Sequence, residues 1–266
     1  MASFLLINPG SGDGGADELV TAARERGIAS RVLAGGDDAA DLARAADADS
    51  LAMAGGDGSL AQVAEVAIAR DLQFACVPFG TRNHFARDIG LDRDDPVAAL
   101  DALVDGEERR IDVGRAGDRL FLNNVSLGVY AQLVHRREQH RRRSDAFARL
   151  RALAIVARHR GALSLSVDGD PVEARVVLVS NNAYKLEVLS IGERERLDEG
   201  CLYVYAPTGM LRTGWEERSG AHFTVDARPA RLRAAVDGEP EELETPIEFR
   251  VEPRALRVLV PRRPGE

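Results

Sequence analysis

Over the first 80 residues, short apolar runs alternate with amphipathic stretches of about ten residues. The apolar runs are residues 3–7, 30–33, 50–53 and 74–77. The amphipathic stretches are residues 17–26, 38–46 and 60–69. Short apolar runs of this length predict buried strands, and the stretches between them predict helices. This alternation indicates an α/β domain, in which helices cover both faces of a parallel sheet.

The pattern changes near Ile111, after which short segments of alternating polarity dominate. Turn residues separate them, including Asp168-Gly169 and Asp237-Gly238. The predicted strands are residues 119–124, 163–167, 174–179, 202–206, 221–225, 232–236, 247–251 and 256–260. Many short strands favour a β-sandwich-like second domain. The main predicted helical interruption is residues 127–160.

We therefore expect an α/β domain over residues 1–112 and a β-rich domain over residues 113–266. The last strand is a candidate for return to the first domain. Unusual loops follow three of the predicted parallel strands, at residues 8–15, 55–59 and 78–84. Ligands of such sheets bind at the carboxyl ends of the strands, so we expect these loops to lie together on one edge.

The first of these loops contains a literal G-x-G-x-x-G at Gly10, Gly12 and Gly15, with Asp37 or Asp38 further along the chain, as in a dinucleotide-binding fingerprint. The loop is so rich in glycine that several registers fit. A flexible turn is therefore an equal alternative.

The second loop, Gly55-Gly56-Asp57-Gly58-Ser59, sets one carboxylate among three glycines. Glycines let the backbone approach a ligand closely, and the start of a helix favours phosphate. We interpret this loop as a nucleotide-phosphate and metal site. A bare carboxylate would repel ATP, so we expect Asp57 to act in a metal network. In the third loop, Thr81 and Asn83 can donate to phosphate or cap the next helix.

Composition and charge exclude several function classes. The chain has 266 residues, of which 45% are hydrophobic and 29% charged, as in a soluble globular protein. We find no long apolar run and no leader, and the two cysteines are isolated, so we expect a cytoplasmic protein without a disulfide framework. A net charge of -8 argues against nucleic-acid binding. Lys185 is the only lysine, which excludes a Walker-type phosphate loop.

Taken in order, five motifs resemble the diacylglycerol kinase catalytic family, a group of lipid kinases that includes bacterial diacylglycerol kinases and relatives of sphingosine kinase. The resemblance covers nearly the whole chain. Its motifs are Asn8-Pro9 with Ser11-Gly12, the Gly55–Ser59 loop, Gly80–Asn83 with Phe85-Ala86-Arg87, Asn123–Gly128 and Asp237-Gly238-Glu239. The family fold implies a Rossmann-like nucleotide-binding domain, a β-sandwich-like domain and an active site in the cleft between them.

The resemblance also implies roles for individual residues. ATP would bind at Asn8, Ser11, Gly12, Gly55, Gly56, Gly58, Ser59, Thr81 and Asn83. Asp57 and Asp112 would join a Mg²⁺ and water network, and Glu199, before Gly200, matches the place of a structural Mg²⁺ site. The stretch from Arg194 to Gly200 has an acidic loop as its alternative.

Glu239 would be the general base on the lipid hydroxyl, with Asp57 as the second catalytic residue. A solvated charge in a hairpin turn is the alternative for Glu239. Two positions depart from the family pattern: Asp13 stands where Lys is frequent, and His84 stands where Asp is usual. These changes remove a cation near the phosphates and a carboxylate from the metal network, which leaves a weakened enzyme as one interpretation.

Nine arginines and only two carboxylates occupy residues 135–160. Solvated helix surface is the usual explanation for such a run. A lipid kinase must also extract its substrate from a bilayer, and we expect Arg136–Arg143 to make peripheral contact with anionic lipid.

The function predicted from these residues is ATP-dependent phosphorylation of a lipid hydroxyl, with diacylglycerol as the preferred substrate. A sphingoid-base kinase, an NAD kinase and a nucleotide-binding regulatory protein remain alternatives. The expected partners are ATP, a membrane lipid and a second copy in a homodimer.

Overall fold

A computed structural model describes residues 2–12, 14–80, 83–128, 163–174, 176–185, 193–208, 214–228 and 230–262. The chain forms two compact units. The first comprises Met1–Val113 and Pro253–Glu266, and the second comprises Gly114–Glu252. Among the described residues, no helix is both long and apolar enough to cross a membrane.

The first unit begins with alternating strands and helices, as the sequence predicts. These elements are β1 (Ser3–Ile7), α1 (Ala16–Glu25), β2 (Ala29–Val32), α2 (Ala39–Ala45), β3 (Ser50–Gly55), α3 (Asp57–Ala69), β4 (Gln73–Pro78) and α4 (His84–Asp88). A 3-10 turn (Ala98–Asp101), α5 (Ala102–Asp105) and β5 (Gly106–Ala116) follow. The parallel strands lie in the order β2-β1-β3-β4.

Burial explains this strand order. All six residues of β3 are buried, as expected for a central strand covered on both faces, whereas three of the four residues of the edge strand β2 are exposed. The side chain of Asp38 begins α2 by accepting a hydrogen bond from the Asp41 N–H at 3.0 Å. A core cluster that includes Leu5, Ile7 and Leu19 joins α1 to the sheet.

The remaining strands lie in the second unit, apart from the part of β16 that begins at Pro253 and belongs to the first unit. They are β6 (Arg119–Phe121), β7 (Asn124–Gly128), β8 (Leu163–Val167), β9 (Asp170–Ala174), β10 (Val176–Asn181), β11 (Leu202–Thr208), β12 (Gly214–Gly220), β13 (His222–Ala227), β14 (Arg231–Val236), β15 (Glu239–Glu244) and β16 (Ile247–Pro261). Six of them form an antiparallel sheet in the order β12-β11-β10-β7-β14-β15. Strand β13 pairs with β8 and with the first residues of β16, and β8 pairs with β9.

One apolar cluster lies between these two sets of strands. It contains Val125 and Leu127 of the six-stranded sheet together with Val167, Val225 and Phe249 of the other strands. Two antiparallel layers that share one core are the architecture of a β-sandwich. The predicted fold class, an α/β domain with a sandwich-like β domain, is therefore confirmed.

Several predicted strand boundaries are wrong. The predicted strand 119–124 is interrupted at Leu122-Asn123 between β6 and β7, and the two predicted C-terminal strands are one strand, β16. Strands β5, β12 and β15 escape the pattern because they carry many charged residues. Leu127 and Gly128 lie in β7, not in a helix, and residues 129–162 lie outside the described part of the chain.

Candidate functional site

The three loops that follow β1, β3 and β4 converge in the first unit, as the sequence predicts. The Asn8 N–H donates to the Ala54 carbonyl at 2.9 Å, and Asn8 Nδ2 donates to Ser59 Oγ at 3.1 Å. Gly12 packs so tightly on the Phe79 ring that an added Cβ would lie 2.9 Å from it. The first loop therefore contacts both of the others.

Glycine is required where the second and third loops meet. A Cβ at Gly80 would lie 3.1 Å from the Gly56 Cα and 3.1 Å from Asn83 Oδ1. A Cβ at Gly55 would lie 3.0 Å from Ser59 Cβ. A Cβ at Gly56, in contrast, would meet no atom within 4 Å in the described part of the chain, so the contacts described here do not demand glycine there.

Local bonds fix the remaining positions of these loops. Ser11 donates its N–H to the Asn8 carbonyl at 3.2 Å. Gly56 precedes α3, and Gly58 and Ser59 lie in its first turn. Thr81, Arg82 and Asp13 lie outside the described residues.

Asp37 and Asp38, the candidate acidic residues of the dinucleotide-binding fingerprint, form hydrogen bonds with residues close to them in sequence. Asp38 caps α2, and the Asp37 carboxylate accepts from the Ala34 N–H at 3.0 Å and from Arg31. The Ala34 hydrogen bond and the nearby Arg31 lower the pKa of Asp37. Gly15 directly precedes α1 at a φ of 90°, a conformation that glycine adopts without strain. The observed contacts are therefore those of a turn.

Asp57 is the first residue of α3 and is only 7% exposed. Its Oδ2 accepts from the His84 N–H and its Oδ1 from the Phe85 N–H, both at 3.3 Å. The carboxylate thus links the start of α3 to the start of α4. Burial raises the pKa of the neighbouring Cys76 thiol, and the negative charge of Asp57 raises it further.

Asn83 presents a buried acceptor without a partner. The residue is only 2% exposed, and its Nδ2 donates to the Gly80 carbonyl at 2.7 Å. Among the described residues, its Oδ1 has no hydrogen-bond partner. A buried polar atom without a partner destabilises a fold by about 1–3 kcal/mol, so its retention needs an explanation. Here a ligand N–H, water or cation would satisfy it.

Asp112 is completely buried in the first unit. Its Oδ1 accepts from the Arg254 N–H at 2.8 Å, where β16 takes a left-handed backbone φ of 52°. The observed contact of Asp112 therefore stabilises a bend in β16.

The first unit supplies oxygen ligands of the chemical type that Mg²⁺ prefers. Mg²⁺ prefers hard oxygen ligands and is usually held by one or two carboxylates, waters and substrate phosphates. The Asp57 carboxylate and the unpartnered Asn83 Oδ1 are such donors. Within the described ranges, no group of three or more His, Cys, Asp and Glu side chains could hold a metal ion by itself.

Glu239 begins β15 and is exposed in the second unit. The turn before it consists of Asp237 at φ 49° and Gly238 at φ 84°, the geometry of a two-residue hairpin. The backbone therefore forms the hairpin turn that the alternative interpretation of Glu239 predicts. The Glu239 side chain lies at the surface.

Glu199 is tied to the neighbouring loop by two hydrogen bonds. Its Oε2 accepts from the Ala183 N–H at 3.0 Å, and its own N–H donates to Asn182 Oδ1 at 2.9 Å. Desolvation raises the pKa of Tyr203, and the nearby Glu199 carboxylate raises it further.

Arg194 lies in the predicted acidic loop but has a buried role that the sequence pattern does not indicate. Its side chain is 3% exposed, and its Nη1 donates to the carbonyls of Leu122 at 2.7 Å and Asn181 at 3.0 Å. Its Nη2 donates to Asn123 Oδ1 at 2.6 Å. These partners lie 13 to 72 residues away, so no local pattern could reveal them.

Known proteins are similar to this chain in sequence and in fold. Residues 2–116 match the family described as the diacylglycerol kinase catalytic domain. A diacylglycerol kinase of Mycobacterium tuberculosis is 38% identical over 122 residues, which are 42% of this chain and 40% of that protein. A Pseudomonas aeruginosa protein named probable lipid kinase YegS-like is 43% identical over 123 residues, 43% of this chain and 40% of that protein.

The match to these two relatives therefore spans 40% of their length. A crystal structure of a diacylglycerol kinase from Bacillus anthracis superposes with a TM-score of 0.72 at 15% identity, covering 99% of this chain and 97% of that one. At this identity the likeness shows the fold, and the fold agrees with the two units described above. Residues 2–116 of this chain are therefore similar in sequence to the catalytic domain of diacylglycerol kinases.

Proposed function

We propose that the protein is an ATP-dependent lipid kinase that phosphorylates a lipid hydroxyl, with diacylglycerol as substrate and phosphatidic acid as product. The observation that carries this proposal is the convergence of the Asn8, Gly55–Ser59 and Gly80–Asn83 loops at the carboxyl ends of three parallel strands. Relatives named diacylglycerol kinase and lipid kinase support the choice of substrate class.

Backbone amides supply much of the phosphate binding in this proposal. Helix α3 has 13 residues and begins at Asp57, directly after Gly55-Gly56. Its first N–H groups and its dipole favour a phosphate at that end. The open space beside the Gly56 Cα lets a phosphate oxygen approach the backbone.

Asp57 holds Mg²⁺ in this proposal, with Asn83 Oδ1 and Asp112 as further oxygen donors, directly or through water. When bound, Mg²⁺ neutralises charge on the transferring phosphate. Glu199 is the proposed carboxylate of a separate structural Mg²⁺ site in the second unit.

Glu239 takes the proton of the lipid hydroxyl as that oxygen forms a bond to the γ-phosphorus. The bond from the γ-phosphorus to the bridging oxygen of ADP breaks in the same step, and ADP leaves. An exposed carboxylate at the end of a hairpin is accessible to a substrate hydroxyl, which supports this role.

The test compares transfer of label from γ-labelled ATP to mixed lipids by the wild type, Asp57→Asn and Glu239→Gln. Glu242→Gln is the matched control, because Glu242 is exposed on the same strand and lies 3.9 Å from Arg233. We expect labelled lipid with the wild type and the control, and a loss of about 10²-fold or more with Glu239→Gln. Nucleotide binding without transfer to any lipid would instead favour a regulatory protein.

Membrane contact through Arg136–Arg143, which lie outside the described residues, is part of the proposal. Arginines near a membrane surface add about 1 kcal/mol each to binding of anionic lipid. Replacement of Arg141, Arg142 and Arg143 by Ala should release the protein from anionic vesicles, and replacement by Lys should not. Co-sedimentation that ignores both anionic-lipid content and the Ala variant would contradict this contact.

A further inference from the structure

Asp237 lies two residues before the proposed base, and its own side chain is only 6% exposed. Its Oδ2 accepts from the Leu122 N–H at 2.7 Å, and its Oδ1 accepts from the N–H groups of Asn123 at 2.8 Å and Asn124 at 3.1 Å. Its backbone N–H donates to the Asn124 carbonyl at 2.9 Å. One turn residue therefore binds three consecutive amides of another segment.

The buried cation Arg194 binds oxygen atoms of the same segment, whereas Asp237 binds its backbone N–H groups. Arg194 donates to the Leu122 carbonyl and to Asn123 Oδ1, while Asp237 accepts from the amides of both residues. Charge-assisted hydrogen bonds are about twice as strong as neutral ones. The segment 122–124 is therefore fixed between a buried anion and a buried cation, which makes it a rigid support for the turn.

The strand register connects this support to Glu239. Val236 pairs with Glu239 across the hairpin and with Val125 of β7 on its other side. The turn, β14 and the beginning of β7 thus form one hydrogen-bonded unit. Glu239 is the first residue after the turn.

A second hairpin of the same unit has the same turn without the same support. Asp168 at φ 52° and Gly169 at φ 85° connect β8 to β9. The exposed Asp168 carboxylate accepts one backbone N–H, that of Thr224 at 2.8 Å, and its own N–H donates to the Thr224 carbonyl at 2.9 Å. An ordinary Asp-Gly hairpin therefore needs neither burial of the carboxylate nor three amides.

We propose that Asp237 is a positioning residue that fixes the Glu239 carboxylate for proton transfer. The proposal rests on the proposed kinase function with Glu239 as base. A misplacement of about 1 Å can reduce a rate by about 10²-fold, so three short bonds at this turn can control the rate without touching the substrate. Asp237 acts through the backbone of the turn.

The experiment uses Asp237→Asn in the full chain, with Asp168→Asn as matched control. Asn tolerates the left-handed conformation of both turns, so the turn type is kept. At position 237 the Asn side chain has an NH₂ group in place of one acceptor oxygen. This donor would face a backbone N–H, which is also a donor. We expect Asp237→Asn to lower kcat about 10-fold to 100-fold with unchanged KM for ATP, and Asp168→Asn to leave kcat unchanged.

A double variant separates positioning from loss of structure. If Asp237 acts through Glu239, then adding Asp237→Asn to Glu239→Gln lowers the residual kcat by less than about twofold. An equal loss in the wild-type and Glu239→Gln backgrounds overturns the proposal. So does an unchanged kcat in Asp237→Asn.

Hydrogen exchange supplies a measurement that does not depend on activity. Asp237→Asn should speed exchange of the amides of Leu122, Asn123 and Asn124, while Asp168→Asn should not. If the wild type phosphorylates no lipid, the kinase proposal is wrong, and Asp237 then has no catalytic base to position. In an active wild type, unchanged exchange at these amides defeats only the role of Asp237.

Discussion

Asn8 and Ser59, which are 51 residues apart, are joined by a 3.1 Å hydrogen bond from Asn8 Nδ2 to Ser59 Oγ. This bond connects the loop after β1 to the first turn of α3. Because Asn8 Oδ1 also accepts from the Gly10 N–H at 3.0 Å, one amide side chain orders both loops. The contact lies at the edge of the sheet where the nucleotide is proposed to bind.

Asn8→Ala should raise the KM for ATP several-fold, because a neutral hydrogen bond contributes about 1 kcal/mol and its loss frees both loops. Ser59→Ala should have a similar effect, and the double variant should be less than additive. Steady-state kinetics over a range of ATP concentrations measures this.

The control for this prediction lies at the opposite end of the same two strands. Ser50 Oγ donates to Ser3 Oγ at 2.9 Å, and both side chains are buried. Ser50→Ala should lower the thermal midpoint while leaving the KM for ATP unchanged. An equal change in the KM for ATP from Ser50→Ala would show that the Asn8 effect is general destabilisation.

Gly56→Ala should fold as stably as the wild type and bind ATP at least about tenfold more weakly. A Cβ at this position meets no atom of the described residues within 4 Å, so we expect a bound ligand to be what conflicts with it. Calorimetry gives the affinity for ATP, and thermal unfolding without ATP gives the stability. Gly35→Ala, which also meets nothing within 4 Å, is the control and should change neither quantity.

His84→Asp should lower the Mg²⁺ concentration needed for half-maximal activity. The exposed His84 donates its N–H to Asp57, so an Asp there adds a carboxylate beside the proposed metal ligand. Without Mg²⁺ the two carboxylates repel each other, and the variant should be less stable than His84→Asn. An unchanged Mg²⁺ dependence in both variants would argue against a metal at Asp57.

Cys76 should resist thiol reagents at pH 8 in the folded protein, whereas Cys201 should react. Burial and the Asp57 charge hold the pKa of Cys76 well above 9.0, so the thiol stays neutral as well as inaccessible. Since the folded protein keeps this proton while the unfolded chain releases it, the contribution to stability is present below the unfolded pKa and declines at alkaline pH. Mass spectrometry after labelling, with and without denaturant, identifies the modified residue.

Local pattern is sufficient to predict strands β1 to β4 and helices α1 to α3 of the first unit. Strand β1 has the predicted bounds, and the predicted loop convergence follows from parallel topology alone. Helix α3 begins at Asp57, three residues before the predicted start. The difference arises because the glycine-rich sequence of its first turn lacks the apolar spacing that predicts a helix.

Contacts between distant residues were not predictable in this way. Burial of Arg194 depends on carbonyls of Leu122 and Asn181, and the inward carboxylate of Asp237 depends on amides at residues 122–124. The Asp-Gly pair predicted the turn, but Asp168 and Asp237 have identical local sequence signals and different environments. Only tertiary structure distinguishes them.

Strand β16 has a consequence for how the first unit can be isolated. Residues Arg257–Leu259 pair in parallel with β4, which has β3 on its other side. A fragment that ends at residue 116, where the family match ends, would leave β4 with an unpaired backbone edge. Such edges promote aggregation, so the smallest expressible form of the first unit should be a fusion that carries the final strand.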